Sequence, residues 1–185
     1  MKSPTNPWQT HTNRTVYDNP WLRIEHHEVT NPAGGAGIYG LVKFKNYAIG
    51  VVPVDEQGYT YLVGQWRYAL DRYSWEIPEG GCPLSTDPLE TAHRELAEET
   101  GLRADRMTEL LRFHTSNSVT DEFGIAYMAT GLRQGASDPE PTEDITRLRL
   151  PLTEALEWVD SGKITDALSI MALQRVELLQ LRGEW

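Results

Sequence analysis

Three glutamates, Glu95, Glu98 and Glu99, stand three and four residues apart. On a helix turning about 100° per residue, that spacing confines the carboxylates to an arc of roughly 100°, the width of a ligand cluster. Like charges this close repel by a few tenths of a kcal/mol, about 0.2–0.5 per pair. Arg94 offsets part of that cost, because it sits four residues after Glu90 and four before Glu98. The remaining acidity suits a hard divalent cation, since Mg²⁺ and Mn²⁺ take carboxylate, carbonyl and water oxygens. A bare pair of helical glutamates is most often a solvated face. Here Pro78-Glu79-Gly80-Gly81 leads in and Gly101 follows, and that company favours a cation site.

The helix that must carry them is legible. Asp87-Pro88-Leu89-Glu90 starts it, with Asp87 as the cap, Pro88 at the first helical position and Glu90 placed for a capping box. Leu89, Ala92, Leu96 and Thr100 share the inward face, and Gly101 supplies a left-handed stop. Upstream the chain is β-rich, with strands expected at 15–17, 21–25, 38–44, 47–54 and 59–65, after a polar arm at 1–12. Downstream, strands are expected at 110–114, 125–129 and 146–150, then helices at 153–160 and 166–181. Strands mixed with three helices predict an α/β or α+β fold in which a sheet lies between helices.

Composition narrows the chemistry. The 185 residues suit one domain with a small appendage, and 17 basic against 27 acidic residues give a net charge of -10. Such a surface repels nucleic-acid backbones and anionic lipid, so neither nucleic acid nor membrane is an expected partner. An anionic ligand would need a basic pocket or bound cations to reverse the local field. The single cysteine, Cys82, forbids an intrachain disulfide. The first residues show no apolar signal region, so the expected address is cytoplasmic.

The segment Gly80–Leu102 resembles the Nudix box. The family pattern is Gly, five residues, Glu, seven residues, then Arg-Glu-apolar-any-Glu-Glu-any-Gly-apolar. Gly80, Arg94, Glu95, Leu96, Glu98, Glu99, Gly101 and Leu102 match it, and Thr86 stands where the first Glu belongs. That Glu mostly supports the loop in the family, so the departure bears on loop rigidity more than on catalysis. The resemblance implies the Nudix α/β/α sandwich with the box as a loop–helix–loop, and a Mg²⁺-dependent hydrolase (Mn²⁺ as substitute) of nucleoside diphosphate derivatives. It makes Glu95, Glu98 and Glu99 metal ligands together with the Glu79 backbone carbonyl. Glu98 and Glu99 are then catalytic, with Arg94 orienting the glutamates. Metals would supply the positive charge that an acidic protein needs for an anionic substrate.

Residues around the box point to the ADP-ribose and nucleotide-sugar pyrophosphatases. Gln65-Trp66-Arg67-Tyr68 and Trp75-Glu76-Ile77-Pro78-Glu79-Gly80-Gly81 look like the strand and loop entering that subfamily's box. Arg67 would meet substrate phosphates or order the site, and Glu76 would contact ligand or brace the loop. Glu122 follows the box where the subfamily has an acidic pair. Asp138 to Ile145 resembles its acidic loop, which nominates Glu143 first and Glu140 second as the catalytic glutamate. The subfamily is usually homodimeric through its N-terminal strands. Region 1–46, with Trp8, Trp21 and Tyr39, is thus expected to dimerise, and 47–185 to be the hydrolase domain. Two alternatives compete: a non-catalytic ligand-sensing module on the same fold, and a housekeeping hydrolase of nucleoside triphosphates. Three retained carboxylates oppose the first, and the β-rich N-terminal extension opposes the second.

Overall fold

The central strands bury alternate side chains on both faces, and that decides the architecture. In β4 (Asn46–Pro53), Ile49 and Val51 join one apolar cluster while Val52 joins another. In β9 (Phe123–Gln134), Ile125, Tyr127 and Ala129 go with the first, and Ala126 and Met128 with the second. Successive strand residues point to opposite faces, so a sheet apolar on both must be covered twice. These two strands pair in parallel at the centre of a four-stranded mixed sheet, ordered β7 (Glu79–Pro83), β4, β9, β8 (Leu102–His114). The computed structural model describes residues 5–135 and 144–185.

Helix α1 (Pro88–Thr100) covers one face through Ala92 and Leu96. Helices α2 (Leu152–Asp160) and α3 (Ala167–Leu181) supply the other core, through Ala155, Leu168, Ala172, Leu173 and Val176. A second antiparallel sheet, β10 (Thr146–Pro151), β5 (Tyr59–Arg67), β6 (Arg72–Glu76), adds Leu62 and Leu150 to that core. Packing there is close. A Cβ on Gly50 would lie 2.9 Å from both Leu168 and Ile77, so only glycine admits them. The result is the α/β/α sandwich that the box resemblance implied. Among the described residues, no helix is long and apolar enough to cross a membrane.

The chain divides into two units, 47–115 with 123–185, and 1–46 with 116–122. The smaller one is an antiparallel meander of β1 (Gln9–Asp18), β2 (Leu22–Thr30) and β3 (Ala36–Phe44). Segment 116–122 adds to it: Val42 N–H donates to Val119 O at 2.9 Å, and Phe44 N–H to an Asp121 carboxylate oxygen at 2.8 Å. Trp8 and Tyr39 meet edge to face at 5.5 Å.

Several expectations needed correction. Residues 9–12 belong to β1 rather than to an arm, because their ladder with β2 supplies the hydrogen bonds. Strands β1, β2 and β8 run longer than expected, since polar residues, exposed in β1 and mostly half-buried in β2, extend the ladders. The lead-in to the box is not a loop: Glu79–Pro83 is strand β7, an edge position where glycine and proline are tolerated. Leu89 is 39% exposed rather than inward, since it sits in the first turn, where its N–H meets the Asp87 cap.

Candidate active site

The ends of α1 fix the face between them. The Asp87 carboxylate accepts from Leu89 N–H at 2.9 Å, and Gly101, at φ 75°, closes the other end on Ala97 O. Between them Glu95 and Glu99 are buried, Glu99 to 1% exposure, and Glu98 is half-buried. Glu99 accepts from the Glu79 N–H at 2.8 Å, tying the helix to β7. The Glu95 carboxylate lies against Gly80 so closely that a Cβ there would come within 2.1 Å of it. This gives the first glycine of the box a steric reason. Arg94 reaches Glu98 at 2.5 Å, Glu95 at 2.6 Å and the Gly81 carbonyl at 3.3 Å. Glu98 and Glu95, rather than Glu90, are therefore its partners. Burial disfavours the Arg94 cation, but these two carboxylates more than offset that and hold its pKa up.

Among the described residues, no trio of acidic, histidine or cysteine side chains stands ready-made as a metal cluster. Arg94 lies between Glu95 and Glu98, and Glu99 is turned to the Glu79 N–H. The donor set still fits a hard divalent cation. The space that Gly80 leaves brings Glu95 to the peptide bearing the Glu79 carbonyl, and buried acid outweighs buried base around it.

Behind this face lies a second network. In the β5–β6 hairpin Arg67 pairs with Arg72 and Val63 with Glu76, which puts Arg67 and Glu76 on the same face of the sheet, where the long arginine side chain can reach the carboxylate. Arg67 Nε bonds both Glu76 oxygens, at 2.9 and 3.0 Å, and its Nη2 bonds Glu76 and, at 2.8 Å, Glu79. Burial works against this guanidinium, yet the Glu76 carboxylate outweighs it and raises its pKa. Glu76, 2% exposed, thus braces the start of β7 through Arg67, and Arg67 is committed to carboxylates. Glu79 is the strained member. Its Oε2 is buried without a hydrogen-bond partner. Burial, then Asp166 and Glu76, push its carboxyl well above the usual range, against the pull of Arg67. A cavity of about 360 Å³ opens beside it, lined by Arg67, Arg72, Glu76, Glu79, Thr165 and Asp166.

The other expected residues fall elsewhere. Glu122 belongs to the smaller unit, where its N–H donates to the Thr120 hydroxyl at 3.3 Å. Glu140 and Glu143 lie outside the described residues. Thr86 closes the turn before α1, its N–H donating to Pro83 O at 2.8 Å. Two contributors escaped the sequence. Asp166 caps α3, accepting from Ser169 N–H at 2.7 Å, and also faces Glu79. Arg147 bonds the carbonyls of Glu98 and Glu99, the first at 3.2 Å, from 49 and 48 residues away. Nothing local in the sequence announces so distant a contact.

With this geometry in place, known proteins give it a context. A NUDIX domain model matches residues 45–172, and a nucleoside diphosphate sugar hydrolase N-terminal domain matches 8–42. A methanol dehydrogenase activator from Bacillus methanolicus is 29% identical over 165 residues, covering 88% of this chain and 89% of the relative. An ADP-ribose pyrophosphatase from Bacillus subtilis (strain 168) is 31% identical, with the same coverages. The crystal structure of an ADP compounds hydrolase superposes with a TM-score of 0.86 over 100% of both chains, at 19% identity, a likeness of fold.

Proposed function

The chain belongs to the Nudix family, and from that premise we propose that it hydrolyses the diphosphate linkage of a nucleoside diphosphate derivative. The substrate is ADP-ribose, cleaved to AMP and ribose 5-phosphate, or a nucleotide sugar. The observation that carries this reading is the glutamate face of α1 set against Glu79 and Gly80. The Bacillus subtilis relative and the N-terminal domain match support the substrate class. No feature favours a sensing module, which has no use for three mutually repelling carboxylates. The N-terminal sheet likewise speaks against a short triphosphate hydrolase.

Glu95, Glu98, Glu99 and the Glu79 carbonyl would hold the divalent metal that the family uses, here Mg²⁺ with Mn²⁺ as substitute. When bound, it neutralises the diphosphate and polarises the P–O bond. Arg94 orients Glu95 and Glu98, and Glu99 anchors the Glu79 peptide. Arg67 and Glu76 brace the strand behind that peptide, so Arg67 acts by ordering the site. Proton acceptance we assign to Glu143 first and Glu140 second, with Glu122 a substrate contact.

A panel of nucleoside diphosphate derivatives with Mg²⁺, with product pairs separated by chromatography, tests the reading. AMP with ribose 5-phosphate is the expected pair from ADP-ribose, and EDTA should abolish it. Full turnover in chelator would sink the metal role, and an inert panel the substrate class. Assembly is a separate proposal. The exposed N-terminal sheet supports a homodimer burying upward of about 2,000 Å². Light scattering that reports a monomer with full activity would exclude it.

A further inference from the structure

We propose that Arg147 is a positioning residue for Glu98 and Glu99, clamping from β10 the carbonyl end of the helix that carries them. This rests on the metal-binding reading above. The last carbonyls of a helix have no partner within it. In α1, Gly101 N–H takes Ala97 O at 2.9 Å, and the Thr100 hydroxyl takes Leu96 O. Glu98 O and Glu99 O go to a single guanidinium, that of Arg147, Nη2 on the first at 3.2 Å and Nε on the second. Those are the backbones of two of the three glutamates that matter.

The last turn of α1 has no basic residue, and it holds Glu98 and Glu99 at the negative end of the helix dipole, the unfavourable end for acid. A cation from outside offsets both the dipole and the side chains. Its place is set by strand pairing, with Arg147 opposite Val63 on β5. The same β5 ends at Arg67, which holds Glu76 and Glu79. One three-stranded sheet therefore braces the site twice, through Arg67 at the start of β7 and through Arg147 at the carbonyl end of α1. The fork of arginine spans two carbonyls, whereas a lysine offers the charge from one point.

The test compares wild type, R147A and R147K by Mn²⁺ titration, read from the electron paramagnetic resonance of free Mn²⁺, with kcat, KM and Tm alongside. Removing a residue that orients metal ligands typically costs about 10–100-fold in metal affinity or activity. R147A should accordingly weaken Mn²⁺ binding and lower kcat by at least about tenfold, while KM moves less than about threefold. R147K should fall between the two. An R147A enzyme that loses Tm but keeps wild-type Mn²⁺ affinity and kcat would overturn the inference, leaving Arg147 a plain helix cap. If R147A does not fold, wild-type Mn²⁺ affinity and kcat in R147K would overturn the two-carbonyl clamp. A wild-type enzyme that binds no Mn²⁺ would sink the metal reading itself, a distinct result that takes this inference with it.

Discussion

In the larger unit, β4 and β9 have side chains packed on both faces, and α1 is held at each end and along its inner face. In the smaller unit, all ten residues of β1 are exposed, and Val29 is the one buried hydrophobic residue among those described. Both units are hydrogen-bonded sheets, so backbone pairing does not separate them. What separates them is cover. A three-stranded sheet with so little apolar burial has little independent stability, whereas a two-sided core immobilises whatever it carries. The carboxylate face is found where packing fixes rotamers from behind. The N-terminal sheet offers Val16, Tyr17, Trp21 and Ile38 to another surface.

The sharpest way to break this comparison is to change chemistry without changing cover. Glu99→Gln keeps the shape of the buried side chain and can still accept from the Glu79 N–H. Turnover should fall by about 100- to 1,000-fold, equivalent to roughly 3–4 kcal/mol of transition-state stabilisation. Tm should hold or rise slightly, because relieved repulsion offsets the lost charge. Steady-state kinetics and calorimetry on the same preparation check both halves. A near-wild-type rate would mean that the glutamate face is only structural.

Next in size is Gly50→Ala. The new methyl would stand 2.9 Å from Leu168 and Ile77 in a core with no slack, and overpacking of this kind costs about 1–3 kcal/mol. Denaturant titration should show the midpoint falling with little change in slope. An unchanged midpoint would mean that α3 rides less tightly on β4 than their contact implies. Val29→Ala probes the other unit. Losing two buried methyl-sized groups there should cost about 1–2 kcal/mol of local stability, read as faster hydrogen exchange in β1–β3. Exchange in β4 and β9 should not change. A global loss would show that the units unfold together.

The same contrast explains what could be read in advance. The glutamate face was legible because Gly80, Arg94, Glu95, Glu98 and Glu99 are close in sequence, and a helix turns sequence spacing into geometry. The helix itself was legible through Asp87, Pro88 and Gly101, whose preferences are local. The network of Arg67, Glu76 and Glu79 required the β5–β6 register, and the clamp of Arg147 required the pairing of β10 with β5. Both are tertiary contacts with no local signature. Strand β7 was missed for the converse reason: Gly80 and Gly81 read as a loop, but the close approach of Glu95 demands glycine within a strand. The extent of β1 was hidden because an uncovered strand need not show apolar alternation.

The smallest effect discriminates most finely between an open face and a covered one. Gly40 lies within β3, is exposed, and has no atom within 4 Å of where a Cβ would stand. Replacing it by alanine removes conformational freedom from the unfolded chain without meeting anything in this subunit. Gly40→Ala should therefore stabilise the protein slightly, by up to about 1 kcal/mol, the usual gain where the native backbone suits alanine. The sign reverses if a second subunit packs on that face, because the methyl would then meet a surface that this chain does not contain. Equilibrium unfolding at two protein concentrations separates the cases. A small gain at both concentrations means open strand, whereas a loss at the higher concentration that fades on dilution would mean that Gly40 sits within a contact between subunits.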